Sequence, residues 1–150
     1  MIKRLELAGW IVSVDAERTR ATYASIAQGG SQRCTCDPCR NFARVVLTGL
    51  PPAVIEFFSA TGIDPQKDAE VYEMGPGSGS SQLYSGEYCF WGNIEERGSG
   101  RLPSTPRFDV SFFAPPSALA QPDFRTGQLG VTFSFLAELP WVLDDASPPK

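Results

Sequence analysis

Three cysteines occur within one short segment, CTCDPCR, where Cys34, Cys36 and Cys39 form a C-x-C-x2-C motif. In an extended segment Cys34 and Cys36 project to the same side, and Cys39 returns to that side where a helix starts. Thiolates are ligands that zinc and other soft metals prefer. The motif therefore predicts a thiolate metal site formed from one local stretch of chain.

A closed tetrahedral zinc site needs a fourth protein ligand. The chain has 4 cysteines and no histidine, so the remaining thiol in the sequence is that of Cys89 in the segment EYCFWG. We therefore predict a structural zinc ion and no catalytic or other cofactor-binding residues. The predicted ligands are Cys34, Cys36, Cys39 and Cys89.

Two other interpretations of the cysteines remain open. Free cysteines are often buried as small hydrophobic residues, which suits Cys89 between two aromatic residues. The segment CDPC, from Cys36 to Cys39, has the C-x-P-C form of thioredoxin-like proteins, in which a helix start lowers a thiol pKa. That fold has a buried apolar strand before the motif, whereas GGSQRCT is polar. A thiol-disulfide oxidoreductase using Cys36 and Cys39 is thus the alternative.

The sequence contains no strong residue pattern for another kind of catalytic site. The absence of histidine excludes Ser-His-Asp and Cys-His catalysis by these residues alone. The adjacent carboxylates Glu95 and Glu96 would point to opposite sides of a strand, and the pair Asp144 and Asp145 lies in a polar tail. The sequence favours a protein that is not an enzyme.

Composition and charge are typical of one folded domain, which we place at residues 1–143, followed by a disordered tail at 144–150. The chain of 150 residues is 42% hydrophobic and 20% charged. A net charge of −4 with scattered Lys and Arg residues argues against a nucleic-acid partner. The sequence contains no long apolar run and no signal-peptide pattern, so we expect no membrane association and a cytoplasmic location.

The residue pattern predicts an α+β fold, an antiparallel sheet with two short helices inserted after the first hairpin. That hairpin is predicted from residues 11–14 and 19–23, with a loop at 28–33. The helices are predicted to begin at Asp37-Pro38 and at Pro51-Pro52, and to end at Gly49 and Gly62. The remaining strands are predicted at residues 69–74, 83–92, 108–113 and 129–136.

The segments CTCDPCRNF, LPPAVIEFFSATGIDPQKDAEVYEM and LYSGEYCFWGNI together resemble a family of bacterial hypothetical proteins of unknown function. The resemblance covers roughly Cys34 to Ile94. In that family a histidine often stands at the position of Cys89, and an exchange of Cys for His is chemically natural for a fourth zinc ligand. The resemblance thus implies a ligand role for Cys89, and it implies no activity.

The leading functional hypothesis is a non-catalytic, zinc-stabilised cytosolic protein that binds a protein or a small molecule. The first alternative is the oxidoreductase described above. The second is an immunity or antitoxin-like protein that would block a basic partner through its acidic surface, since the sequence pI is about 4.8.

Overall fold

The computed structural model describes residues 2–103, 106–116, 122–124 and 130–150. Its strands are β1 (Ile2–Leu7), β2 (Trp10–Asp15), β3 (Glu70–Pro76), β4 (Ser81–Glu96), β5 (Phe108–Phe113) and β6 (Gly130–Pro140). Its α-helices are α1 (Ala16–Ser25), α2 (Gly30–Arg33), α3 (Asp37–Val45) and α4 (Pro52–Thr61), and a short 3-10 helix spans Pro122–Phe124.

All strands belong to one antiparallel sheet of six strands, built around the 16-residue strand β4. The strand order is β1-β2-β4-β6-β5, and β3 also pairs with β4. Because β6 occupies one edge of β4, β3 and β2 share the other edge. The first half of β4 pairs with β3, and its last residues pair with β2. The predicted α+β class, with an antiparallel sheet and short helices, is confirmed.

The first hairpin differs from the one predicted. It joins β1 to β2 through Ala8 and Gly9, whose φ angles of 53° and 83° are typical of a two-residue type I′ turn. Residues 19–23, predicted as a strand, lie in α1, because the Asp15 side chain accepts a hydrogen bond from the Arg18 backbone N–H at 3.1 Å and caps a helix there. The predicted loop at 28–33 likewise contains the short helix α2.

The two predicted helices are present as α3 and α4, although α3 ends at Val45 and not at the predicted Gly49. Pro38 lies in the first turn of α3, and α4 ends at Gly62, which has a φ of 89°. None of the helices in the described ranges is long and apolar enough to cross a membrane.

The core lies between one face of the sheet and helices α3 and α4. Phe42 of α3 stacks on Phe135 of β6 with ring centroids 6.0 Å apart, and Phe57 of α4 stacks on Phe133 at 5.9 Å. Val131, Phe133 and Phe135 of the last strand are buried on this face, and Gly130 and Thr132 on the other face are buried too; Leu129, its predicted first residue, lies outside the described residues.

The last segment of the chain, residues 144–150, contains no helix or strand. Asp145 accepts a hydrogen bond from Arg40 of α3 at 2.6 Å, and the Trp141 indole N–H donates to the Ala146 carbonyl at 2.9 Å. The predicted division into a domain and a disordered tail stays a prediction.

Side chains of helix α1 provide hydrogen-bond partners for the part of the β4 edge that lies between β3 and β2. The Tyr23 hydroxyl donates to the Cys89 carbonyl at 2.7 Å and accepts from the Cys89 N–H at 3.2 Å. The Thr19 hydroxyl accepts from the Trp91 N–H at 3.0 Å. Two side chains of a helix thus take the place of a strand along this part of β4, and they satisfy backbone groups that would otherwise be buried without partners.

We expect Tyr23→Phe to lower the free energy of unfolding by about 1–3 kcal/mol, because it removes the hydroxyl group that makes two hydrogen bonds with the buried backbone of Cys89. Urea denaturation followed by fluorescence measures the change. Tyr72→Phe is the matched control, since Tyr72 is 46% exposed, and its effect should stay within about 0.5 kcal/mol. Equal stability of the two variants would contradict this role of Tyr23.

Candidate metal centre

The thiols of Cys34, Cys36 and Cys39 converge at the junction of α2, α3 and β3. Their three Sγ atoms all lie within 4.8 Å of one another, and those of Cys34 and Cys36 are 3.1 Å apart. Cys36 is exposed, while Cys34 and Cys39 are half-buried. This arrangement confirms that the C-x-C-x2-C motif brings its thiols together, and the three could hold a metal ion.

Cys34 is positioned by the docking of α2 against the segment that leads into β3. The Asp68 carboxylate accepts hydrogen bonds from the Ser31 hydroxyl at 2.6 Å and from the Ser31 N–H at 3.0 Å. The Gly30 N–H donates to the Asp68 carbonyl at 2.8 Å. A Cβ atom on Gly29 would lie 2.5 to 2.8 Å from backbone atoms of that segment, so glycine permits the close approach. Cys34 follows α2 directly, and its N–H donates to the Gly30 carbonyl at 3.3 Å.

Cys36 and Cys39 are positioned by the start of α3. Cys36 is the N-cap residue, and its carbonyl accepts the N–H of Arg40 at 3.0 Å. Tyr84 of β4 holds this first turn against the sheet by donating its hydroxyl proton to the Pro38 carbonyl at 2.8 Å. The buried Asn41 amide donates to the Tyr84 hydroxyl at 3.2 Å. The turn that carries Cys36 and Cys39 is thus fixed to the central strand.

The three thiols open onto a cleft of about 340 Å³ between the start of α3 and strand β3. The β3 residues that line it include Glu70, Tyr72 and Glu73. Glu73 already accepts a hydrogen bond from the Gly75 N–H at 2.5 Å. The thiols and these residues of β3 therefore line one space that is open to solvent.

The thiols differ in their proton affinity. Hydrogen bonds from the Cys36 thiol, the Cys36 backbone and the Cys39 thiol lower the pKa of Cys34. Burial raises the pKa of Cys39, and its hydrogen bonds to Cys34 and Cys36 raise it further. Of these two thiols, Cys34 therefore loses its proton more readily than Cys39.

Cys89 does not lie with the other three cysteines, so the predicted four-thiolate set is not brought together. Tyr88 and Phe90 pack against α4 through Phe58 and Phe57. Because successive side chains alternate across a strand, Cys89 points to the opposite face of the sheet. There it is fully buried, with its Sγ 3.9 Å from the Thr132 hydroxyl oxygen of β6.

Sequence reasoning missed the acidic residues around the cluster. Asp68 and Glu70 precede and begin β3, and the pattern that predicted this strand assigned them no role. Both residues come near the cluster through the docking of α2, which Asp68 binds directly and which leaves Glu70 at the border of the cleft. The alternation of side chains along β4 could have shown that Cys89 faces away from the cluster. Tyr84, Tyr88 and Phe90 stand at even-numbered positions of the strand, and Cys89 stands at an odd-numbered one.

Comparison of the chain with protein-family models, curated proteins and solved structures found no match. The resemblance to a family of bacterial proteins therefore stays a prediction, as does the ligand role that it implied for Cys89.

The docking of α2 makes stability depend on pH through Asp68. Burial raises the pKa of this carboxyl above its ordinary 3.8, while hydrogen bonds from Ser31 oppose the shift. The folded state thus binds the proton more tightly than the unfolded state, so the free energy of unfolding should fall as pH rises from 3.8 through the raised folded-state pKa. Asp68→Asn should lack this decrease in urea denaturation across a pH series.

Ser31→Ala is the matched second variant. It removes the hydroxyl hydrogen bond that helps to hold the pKa of Asp68 down and keeps the backbone N–H of residue 31, so the loss of stability should extend to higher pH than in the wild type. If wild type and Asp68→Asn show the same pH profile, Asp68 does not titrate with folding.

Proposed function

We propose that this chain is a non-catalytic zinc-binding protein in which Cys34, Cys36 and Cys39 hold one ion. The observation that carries the proposal is the convergence of their three Sγ atoms within 4.8 Å. A Zn–S bond of about 2.3 Å in a tetrahedral site places ligand sulfurs about 3.8 Å apart. The Cys34 and Cys36 sulfurs are 3.1 Å apart and all three sulfurs lie within 4.8 Å of one another, so small side-chain shifts suffice to reach that spacing.

The role that best fits this site is local and structural. The domain has a large aromatic core of its own between the sheet and helices α3 and α4. The metal would join the end of α2 to the start of α3 beside β3, at one corner of the fold. Unlike a zinc finger, which is unfolded without its ion, this protein should therefore stay folded when the metal is removed.

The cytoplasmic location and the binding of a protein or small-molecule partner stay predictions, and so does the antitoxin-like alternative. They rest on the composition and the net charge of −4. A metal site that fixes the ends of α2 and α3 beside a solvent-filled cleft is compatible with a binding role. A binding role of this kind requires no catalytic group.

We expect the purified protein to contain one zinc ion per chain by native mass spectrometry and elemental analysis. Cys34→Ser, Cys36→Ser and Cys39→Ser should each lose the ion under the same conditions, because each removes a thiolate from a set of three. Cys89→Ser is the matched control. It should keep full zinc stoichiometry, since Cys89 lies on the opposite face of the sheet.

Two outcomes would contradict the proposal. One is a folded wild-type protein that takes up no zinc from a zinc-containing buffer. The other is loss of zinc in Cys89→Ser as well as in the three other variants, which would restore the ligand set predicted from the sequence.

A second candidate function is thiol-disulfide exchange, favoured by the 3.1 Å contact between the Cys34 and Cys36 sulfurs and by the lowered pKa of Cys34. These features favour Cys34 as the attacking thiolate. If the protein acts in this way, the metal-free form should reduce a small disulfide faster than Cys34→Ser does, with Cys89→Ser as control. Rates equal to that of free cysteine in all three proteins would exclude this function.

A further inference from the structure

We propose that the edge strand β1 is an interface through which two copies of this chain form a symmetric dimer with one continuous sheet. This inference is independent of the metal centre. β1 lies at one end of the strand order, and among the described residues it pairs with β2 alone. An uncovered edge strand presents a row of backbone N–H and C=O groups that can pair with another strand.

The two ends of the sheet differ in how their edges are covered. At the β5 end, the Val110 N–H donates to the Gly100 carbonyl at 2.7 Å. The Leu102 N–H donates to the Phe108 carbonyl at 3.3 Å, so a segment outside the strands pairs with this edge. At the other end, no backbone hydrogen bond between described residues reaches the outer edge of Ile2–Leu7. This strand also has no proline and no register shift against β2, which are devices that protect an edge from pairing.

The geometry of the β1–β2 hairpin decides which backbone groups of β1 face outward. In a hairpin with a two-residue turn of this type, the pair next to the turn, here Leu7 and Trp10, exchanges both backbone hydrogen bonds. Because the direction of the backbone groups alternates along a strand, Arg4 and Glu6 direct their N–H and C=O groups away from β2. These two residues offer the backbone groups that a second strand needs.

The charges of β1 select one register for the pairing of two copies. A two-fold axis perpendicular to the sheet keeps each face continuous, so residues from the same face lie opposite each other. When the axis passes beside Leu5, Arg4 of each copy lies opposite Glu6 of the other copy, and unlike charges at opposed positions stabilise an antiparallel pair. An axis beside Arg4 or beside Glu6 would instead place two arginines or two glutamates opposite each other. Of these three registers, the first alone pairs unlike charges.

The side chains of β1 lie on the faces that this register requires. Leu5 pairs with Val12 of β2, which is buried in the core, and Leu5 and Leu7 both line a groove against α4. Because side chains alternate along a strand, Arg4 and Glu6 share the opposite face, where both are exposed. The charged pairs of the dimer would therefore form on the outer face, and the leucines would meet on the inner face.

The groove between β1 and α4 extends the interface on the inner face. It has a volume of about 280 Å³, and its lining is apolar apart from Glu6 and Glu56. In the proposed register, Lys3 of the other copy lies opposite Leu7, at the border of this groove. A lysine there can cover the apolar lining with its methylene groups and bring its ammonium group toward Glu56. The inner face thus adds a second complementary contact to the two strands.

The first experiment is sedimentation equilibrium over a concentration series. The wild type should show a reversible monomer–dimer equilibrium. Glu6→Arg should weaken dimerisation by at least about tenfold, because it places an arginine opposite Arg4 in both symmetry-related pairs. Arg4→Glu should have the same effect, because it places a glutamate opposite Glu6. Glu17→Arg is the matched control, since it makes the same charge change at an exposed residue of α1, and it should dimerise as the wild type does.

The second experiment mixes Glu6→Arg with Arg4→Glu at a concentration at which neither variant dimerises alone. In the heterodimer both cross-strand pairs again join unlike charges, so the mixture should dimerise, and misfolding of either variant would not produce this result. Arg4 also lies 3.5 Å from Glu95, but the two side chains are 65% and 40% exposed, so the loss of this ion pair should cost little stability. Thermal unfolding by circular dichroism verifies that both variants are folded.

Three outcomes would overturn the inference. One is a wild type that stays monomeric over the whole concentration series. Another is a wild-type dimer whose affinity Glu6→Arg leaves unchanged, which would place the interface elsewhere on the protein. The third is a mixture of the two folded variants that stays monomeric at concentrations at which the wild type dimerises.

Discussion

The long strand β4 is the constraint on which the rest of this structure depends. One of its edges is paired by β6 from Ser81 to Trp91, and the other edge of the 16-residue strand has to be satisfied by partners too short to span it. The fold solves this with three successive partners, β3, the hydroxyls of α1, and β2. The positions of α1 and of both neighbouring strands follow from that requirement, because buried backbone groups need hydrogen-bond partners.

The same strand separates the cysteines. Its alternation sends Tyr84, Tyr88 and Phe90 toward the helices and Cys89 toward the opposite face. Tyr84 reaches the first turn of α3 and fixes it through the Pro38 carbonyl. The side of β4 that supports the thiol cluster is therefore the side opposite to the one that Cys89 faces.

The candidate centre combines local sequence with a long-range contact. Short spacing and the start of a helix bring the three thiols together, and neither depends on distant parts of the chain. What faces them depends on the Asp68 carboxylate, which accepts two hydrogen bonds from Ser31 while buried. Moving α2 along the segment before β3 would change which residues of β3 line the cleft with Cys34.

The sequence by itself determined the thiol cluster, helices α3 and α4 and most of the sheet, because these follow from spacing, proline and glycine positions and apolar alternation. It misassigned residues 19–23, since β-branched and aromatic side chains there serve as partners of β4 from within a helix capped by Asp15. Only the tertiary structure decided the place of Cys89 and the neighbours of the cluster. Both depend on strand register and face, and a shift of one residue would reverse them.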